Sequence, residues 1–157
     1  MPSRELKVGD KAPDFTLPAD SGGKVSLSQL KGKSVVLYFY PKDDTSGCTA
    51  EAIAFTQNAK ALKAAGAVVL GVSKDSPASH DKFKSKHDLA LTLASDEDTK
   101  LAQAYGVWVE KSMYGRRYMG TERATFLIDG NGIIRQIWHK VKVPGHAANV
   151  LAAVKAL

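Results

Sequence analysis

The 157-residue chain contains a single cysteine, Cys48. One cysteine cannot form a disulfide within the chain, so redox chemistry would have to use an oxidised form of this sulfur, a second chain or a small thiol. Long apolar runs are also absent, because none approaches the roughly 20 residues of a membrane span. The opening sequence MPSRELKVGDKAPDF contains no apolar secretory segment. We therefore expect a cytoplasmic protein that does not enter membranes.

Basic residues outnumber acidic ones, but they form no long block. The formal net charge is +6. The cations stand in small groups, such as Lys82, Lys84 and Lys86 or Arg116 and Arg117, with no aromatic residues interleaved. Proteins that bind single-stranded nucleic acid combine a basic groove with stacked aromatic side chains. We therefore interpret the excess charge as a solvated surface and expect no nucleic-acid partner.

Motifs for metals and phosphate groups are missing as well. The four histidines have neither HExxH spacing nor the spacing of a Cys/His zinc site; they are His80, His87, His139 and His146. The glycine pairs at 22–23 and at 130–132 have the character of hairpin turns rather than of a phosphate-binding loop. We expect no metal and no cofactor.

Composition and apolar patterning predict one α/β domain over residues 1–157. Hydrophobic residues make up 44% and charged residues 24% of the chain, which is typical of a globular domain. The apolar run at 35–40 predicts a strand buried on both faces. A helix at 47–65, ended by Gly66, and a second buried strand at 68–72 follow. Two such strands joined by a helix indicate a parallel pair with a right-handed crossover.

The remaining elements complete a sheet covered by helices on both faces. We predict an N-terminal hairpin of 15–17 and 24–27, a helical turn at 28–32, a helix at 77–87 capped by Ser76, a strand at 91–93, a helix capped by Asp96 and ended by Gly106, a hairpin of 124–128 and 133–138, and a helix over 146–157. For residues 107–122 the sequence predicts only short β segments. The fold class is therefore α/β, with a central mixed β-sheet.

Cys48 is predicted to lie in the first turn of a helix, after a buried strand and a polar loop. A thiol attacks as the thiolate, and the backbone N–H groups at a helix start stabilise an anion. Thr45 can place a hydroxyl beside the sulfur, and Gly47 allows the backbone to approach a bound group. We predict a reactive thiol. The alternative is an inert buried cysteine, with Asp44 or Thr45 serving only as a helix cap.

The loop sequence PKDDTSGC has the pattern Pro-x-x-x-Thr-x-x-Cys, which resembles the active-site motif of peroxiredoxins. The segments YFYPKDDTSGCTAEA, GVSKDSPASHDKF, KSMYGRRYMG and ERATFLIDGNG resemble, in order and over nearly the whole chain, the bacterioferritin comigratory protein (peroxiredoxin Q) subgroup. This resemblance implies a thioredoxin-like fold. It also implies an antioxidant enzyme that reduces hydrogen peroxide and organic hydroperoxides at the expense of a thiol, without a cofactor.

The resemblance assigns roles to individual residues. Cys48 matches the cysteine that attacks the O–O bond and becomes a sulfenic acid. Thr45 matches the threonine that holds the peroxide, and Pro41 matches the proline that shields the pocket. Arg123 matches the arginine that supports the thiolate and polarises the substrate, although spacing alone does not distinguish it from other arginines. Glu51 matches a subgroup glutamate that pairs with this arginine or interacts with the helix dipole.

The chain departs from the subgroup pattern at its second cysteine. Many members carry a resolving cysteine where this chain has Ile53, and others carry it near Lys84 and Ser85. Neither cysteine is present, so the sequence resembles a one-cysteine form whose sulfenic acid is reduced by an external thiol: thioredoxin, glutaredoxin or glutathione. Ser46 also replaces a proline that is frequent in the subgroup. From the subgroup we expect a monomer.

Three other functions compete with this hypothesis. A dithiol oxidoreductase needs a Cys-x-x-Cys pair, whereas Thr45 and Glu51 stand three residues before and after Cys48. A Cys/His protease stays open at this point, because the two partners meet in space rather than in sequence. A non-catalytic binding or chaperone-like module on a thioredoxin fold is the main alternative, since fold does not determine function.

Overall fold

The structure is a computed structural model that describes residues 5–157. The described residues form nine strands and five α-helices. The strands are β1 Thr16–Pro18, β2 Lys24–Ser26, β3 Ser34–Phe39, β4 Ala67–Ser73, β5 Thr92–Ser95, β6 Trp108–Met113, β7 Arg116–Thr121, β8 Ala124–Ile128 and β9 Ile134–Trp138. The helices are α1 Ser46–Gln57, α2 Ala59–Ala64, α3 Pro77–His87, α4 Lys100–Ala104 and α5 His146–Lys155. No helix among residues 5–157 is long and apolar enough to cross a bilayer.

The central sheet has five strands in the order β5-β4-β3-β8-β9. The central strand, β3, runs parallel to β4 and antiparallel to β8, so that Leu37 pairs with Leu70 on one side and Phe126 on the other. Its side chains alternate between two cores, which explains why the run at 35–40 is apolar throughout. The predicted mixed sheet and parallel pair are confirmed.

Helices cover both faces of this sheet, as predicted. Buried side chains of α1, α2, α3 and α5 pack on the face that carries Tyr38 and Tyr40. The opposite face carries Leu37 and Phe39 and packs against α4 and the N-terminal segment. The predicted N-terminal hairpin forms a separate two-stranded sheet of β1 and β2. The site described below lies at the α1 side of β3.

The prediction of one continuous helix over 47–65 is wrong. Two helices occupy this segment, and Asn58 separates them with φ −99° and ψ 2°. The Asn58 side-chain amide donates to the Ala54 carbonyl oxygen at 2.8 Å. An asparagine side chain that bonds nearby backbone competes with helix continuation, and apolar periodicity does not detect this competition.

Asp96 does not cap its helix from the predicted position. The residue that precedes α4 is Thr99, whose positive φ of 62° closes a turn before the helix begins. The Asp96 carboxylate nevertheless accepts the backbone N–H groups of Leu101 and Ala102, at 3.0 and 2.8 Å. It therefore satisfies two of the free donors of the first turn from one turn farther away.

Residues 107–122 form a hairpin that was predicted only as fragments. Strands β6 and β7 pair with each other, with Met113 opposite Arg116. The two turn residues, Tyr114 and Gly115, both have positive φ, at 52° and 76°. A two-residue turn with positive φ at both positions is normally signalled by Asn-Gly or Asp-Gly. Because tyrosine occupies the first position here, the sequence contained no such signal for the turn. Residues 112–119 are exposed, so no buried stripe marked the strands.

Candidate active site

Cys48 lies in the first turn of α1, where the sequence placed it. The helix begins at Ser46, directly after the extended residue Thr45, whose carbonyl oxygen accepts the N–H of Thr49 at 2.8 Å. Only 1% of the Cys48 surface is exposed. The sulfur is therefore covered by protein. It lies at the N-terminal end of a helix, where negative charge is favoured.

Arg123 reaches this sulfur from a distant part of the sequence. Its Nη2 atom donates to Cys48 Sγ at 3.4 Å. Arg123 directly precedes β8, and Ala124 pairs with Phe39 at the end of β3. Because the loop to Cys48 leaves from the same end of β3, antiparallel pairing of β8 with β3 brings the arginine to the thiol. The structure therefore brings Arg123 into contact with Cys48, and the role of Arg123 in catalysis stays a prediction.

Glu51 is the second partner of this arginine. Its Oε1 atom accepts from Arg123 Nη1 at 2.7 Å, and the carboxyl group is 1% exposed. The pairing predicted from the resemblance is therefore present. The other carboxyl oxygen, Oε2, has no hydrogen-bond partner among the described residues. Glu51 thus connects to Cys48 through the guanidinium group.

Burial and neighbouring charges shift the pKa values of Glu51 and Arg123 in opposite directions. Burial raises the pKa of Glu51 to about 7, although Arg123 lowers it. Burial would lower the pKa of Arg123, but the charges of Glu51 and Cys48 raise it overall. Since an arginine keeps its proton throughout the accessible pH range, the member of the pair that gains and loses charge is the carboxyl group.

The loop before Cys48 supplies the other predicted site residues. The Thr45 side chain is exposed, and its hydroxyl donates to the Lys42 carbonyl oxygen at 3.0 Å rather than capping α1. Pro41 is half-buried at the start of the loop. A methyl group at Gly47 would lie 3.0 Å from Arg123 Nη2. The side chain that approaches this glycine is therefore the arginine of the site.

Two residues near the site were not predicted. Tyr38 stacks on Phe55, and burial, followed by the charges of Glu51 and Cys48, raises its pKa well above the ordinary value. Burial lowers the pKa of Lys111 in β6, and the charge of Arg123 lowers it further. In the sequence, Tyr38 was part of a core pattern and Lys111 fell in the segment without a clear pattern.

The histidines bond to groups other than the thiol. Their partners are Asp43 for His80, Asp44 for His87, Glu122 for His139 and Thr125 for His146. This arrangement gives no support to a Cys/His protease. Among residues 5–157 no group of three His, Cys, Asp or Glu side chains is placed to hold a metal ion.

The sequence pattern of the AhpC/TSA family matches residues 8–137. The chain belongs to the AhpC/TSA family. A putative peroxiredoxin Bcp of Coxiella burnetii is 55% identical to this AhpC/TSA chain over 146 residues, which are 93% of this chain and 97% of that protein. The peroxiredoxin Bcp of Bacillus subtilis is 49% identical over 150 residues, 96% of each protein. The structure of the Xanthomonas campestris bacterioferritin comigratory protein superposes with a TM-score of 0.87 at 46% identity, over 90% of each chain.

These similarities confirm the family, the fold and the class of enzyme. The chain is a peroxiredoxin of the bacterioferritin comigratory protein subgroup, with a thioredoxin-like fold. It is a thiol-dependent peroxidase. The non-catalytic binding or chaperone-like alternative finds no support in the comparisons. The one-cysteine character of this AhpC/TSA member follows from its sequence.

Proposed function

We propose that this peroxiredoxin reduces hydrogen peroxide and organic hydroperoxides with Cys48 and is recycled by a thiol of another molecule. The observation that carries the proposal is the contact of Arg123 Nη2 with Cys48 Sγ, at 3.4 Å, in the first turn of a helix. The structures of the X. campestris relative concern its alkyl peroxide reduction activity. That activity supports organic hydroperoxides as substrates here.

The reaction requires Cys48 as a thiolate. The N–H groups of the first turn of α1 and the Arg123 guanidinium both present positive charge to the sulfur. The thiolate attacks the terminal oxygen of the hydroperoxide, an S–O bond forms and the O–O bond breaks. Cys48 becomes a sulfenic acid, and the departing alkoxide or hydroxide takes a proton to leave as an alcohol or water. Arg123 can stabilise the developing oxyanion as well as the sulfur.

The loop residues complete the peroxide-binding pocket in this proposal. The Thr45 hydroxyl donates to the Lys42 carbonyl oxygen and keeps lone pairs that can accept the peroxide O–H. Pro41 presents an apolar ring without a backbone N–H at the entrance. Gly47 leaves room for the Arg123 guanidinium. Glu51 accepts a hydrogen bond from Nη1, the guanidinium nitrogen that does not contact Cys48.

The return half of the cycle needs another molecule. Since Cys48 is the only cysteine in the chain, an external thiol attacks the sulfenic acid, water leaves and a mixed disulfide forms. A second thiol then releases Cys48. Thioredoxin, glutaredoxin and glutathione are the candidate donors. We further propose a monomer in the cytoplasm, where a thiol pool maintains the reduced enzyme.

Peroxide consumption with each thiol donor tests the proposal. The wild type should consume peroxide, and Cys48→Ser should abolish consumption. Arg123→Met should slow the oxidation of Cys48 by about 100-fold or more, the loss typical of removing one stabilising donor. Arg135→Met is the matched control, because Arg135 pairs with Asp129 on the surface. Undiminished consumption by Cys48→Ser would refute the assignment.

A further inference from the structure

A β-hairpin adjoins the active site. Among the strands of residues 5–157, β6 and β7 pair only with each other and form a two-stranded sheet apart from the central one. Strand β7 ends at Thr121, and two residues later Arg123 donates to Cys48 Sγ at 3.4 Å. The base of the hairpin is therefore next to the arginine that contacts the thiol, and the turn at Tyr114 and Gly115 is at its opposite end.

This hairpin carries most of the large apolar side chains that the described part of the chain exposes. Four of the six such side chains belong to it: Met113, Tyr114, Tyr118 and Met119. Tyr114 is 97% exposed, although its φ of 52° is unfavourable for a bulky residue. Single exposed apolar residues are ordinary, but a cluster of them marks a surface that binds another molecule. Methionine and tyrosine, together with arginine, are residues that protein interfaces favour.

The strand register divides the side chains of the hairpin between two faces, because side chains alternate along a strand and paired residues share a face. One face, which we call the Lys111 face, consists of two cross-strand pairs: Lys111 with Tyr118, and Met113 with Arg116. The other, which we call the Met119 face, consists of the pairs of Glu110 with Met119 and Ser112 with Arg117.

The Lys111 face is the one that continues toward Cys48. The half-buried Lys111 side chain extends over Gly120, since a methyl group at this glycine would lie 3.1 Å from Lys111 Cδ. Gly120 pairs with Val109, one step nearer the base of the hairpin than Lys111. Burial and then the charge of Arg123 lower the pKa of Lys111, and the charge of Cys48 acts on this pKa in the opposite direction. The direction of the side chain and its electrostatic neighbours therefore agree.

The two cations of the Lys111 face are available to a partner. Among residues 5–157, neither Lys111 nor Arg116 forms an ion pair, whereas Arg117 on the Met119 face lies 3.6 Å from Glu110. A partner with carboxylates around an apolar centre would neutralise both cations and cover the apolar side chains between them. Complementary charges also orient a partner as it approaches. Such orientation matters here because only 1% of the Cys48 surface is exposed.

We propose that the Lys111 face is the docking surface for the protein that reduces the Cys48 sulfenic acid, a dithiol protein whose thiols lie in an apolar surface rimmed by carboxylates. This inference rests on the function proposed above, because a chain with one cysteine needs a thiol from another molecule. One donor thiol attacks the oxidised sulfur: an S–S bond forms, the S–O bond breaks and the oxygen leaves as water. The second donor thiol attacks the first donor sulfur, which releases Cys48 as a thiol and leaves the donor oxidised to a disulfide.

Turnover with a protein donor and with a small dithiol separates docking from chemistry. The measured quantity is kcat/KM for the donor, with thioredoxin or glutaredoxin as the protein and dithiothreitol as the small dithiol, at about 0.15 M ionic strength to screen distant charges. Met113→Ser combined with Arg116→Gln should lower this value by about 10-fold or more for the protein donor that supports turnover. The value for dithiothreitol should stay unchanged.

The matched control makes the same chemical changes on the other face of the same hairpin. It combines Met119→Ser with Arg117→Gln, and both kcat/KM values should stay those of the wild type. Circular dichroism establishes that both double variants are folded.

Hydroxyl-radical footprinting of a trapped complex tests the contact in the wild-type chain, without any variant of it. A protein donor whose second cysteine is replaced by serine forms a stable mixed disulfide with oxidised Cys48. In this complex, radical oxidation of the Met113 and Tyr118 side chains should be suppressed relative to the free enzyme, whereas Met119 should be oxidised to the same extent in both.

Three results would overturn the proposal. The first is turnover with glutathione or dithiothreitol but with neither protein donor. The second is a protein-donor kcat/KM that falls equally in both double variants or in neither. The third is equal oxidation of Met113 and Tyr118 in the free and the trapped enzyme.

Two other occupants of the Lys111 face would also be recognised. A dimer in light scattering, or sedimentation with phosphatidylglycerol vesicles, that is lost in Met113→Ser with Arg116→Gln while donor kinetics stay unchanged would assign the face to a second copy or to a membrane, and would refute the proposal. Failure of the proposed function would appear differently, as peroxide consumption without Cys48 or as no consumption with any thiol.

Discussion

The Glu51→Gln substitution should change how the stability of the fold depends on pH. Glu51 is 1% exposed, and burial raises its pKa from the ordinary 4.5 to about 7. The folded protein therefore holds this proton more tightly than the unfolded chain does. Ionisation of Glu51 consequently weakens the folded state as the pH rises through this interval, and the full penalty is present above it. At about 1.4 kcal/mol for each tenfold change in proton affinity, the penalty is about 3 kcal/mol.

Glutamine keeps an acceptor for Arg123 and has no proton to lose. The free energy of unfolding of Glu51→Gln, relative to the wild type, should therefore rise by about 3 kcal/mol between about pH 4.5 and about pH 8. Urea unfolding followed by circular dichroism at several pH values measures this difference. Glu97→Gln is the control for the substitution itself, because Glu97 is exposed. A Glu51→Gln difference that is flat or falls with rising pH would show that Arg123 outweighs burial, and would refute the reasoning.

Three further predictions concern the packing and the chemistry of the site. Gly71→Ala should destabilise the fold by about 1–3 kcal/mol in urea unfolding, because its methyl group would lie 2.8 Å from the Tyr38 ring; Gly23→Ala, with no atom nearer than 4.0 Å, should be close to neutral. Thr45→Val should slow the oxidation of Cys48 in stopped-flow measurements, whereas Thr45→Ser, which keeps the hydroxyl, should not, and equal rates would remove Thr45 from the mechanism. When peroxide exceeds thiol, intact-protein mass spectrometry should show Cys48 with two added oxygen atoms, and excess thiol should suppress this product; an unmodified mass would contradict the one-cysteine cycle.

The sequence predicted the elements whose signals are local and apolar. The continuous run of β3 and the Ser76-Pro77 start of α3 are examples; in the structure the Ser76 hydroxyl accepts the N–H of Ser79 at 3.1 Å. Where a polar side chain redirects the backbone, apolar periodicity was insufficient, as the break at Asn58 shows. The turn at Tyr114 and Gly115 escaped prediction because its conformation is unusual for a tyrosine.

The site was predictable only in part for a related reason. The place of Cys48 at a helix start follows from local sequence, since a strand, a loop and a helix succeed one another. Arg123 lies far along the chain, and only the family resemblance selected it before β8 was seen beside β3. The buried pair of Asp43 and His80 had no such guide, because the hydrogen bond between them joins elements that are distant in sequence.

Trapping the oxidised thiol in a single turnover tests the central claim most directly. The reduced enzyme is mixed with one equivalent of hydroperoxide and no thiol, in the presence of a reagent that labels sulfenic acids, and the labelled site is located by mass spectrometry. We predict that peroxide disappears at the rate at which label appears on Cys48, and that neither occurs in Cys48→Ser. Consumption of peroxide by the wild type while Cys48 stays a free thiol would contradict the account.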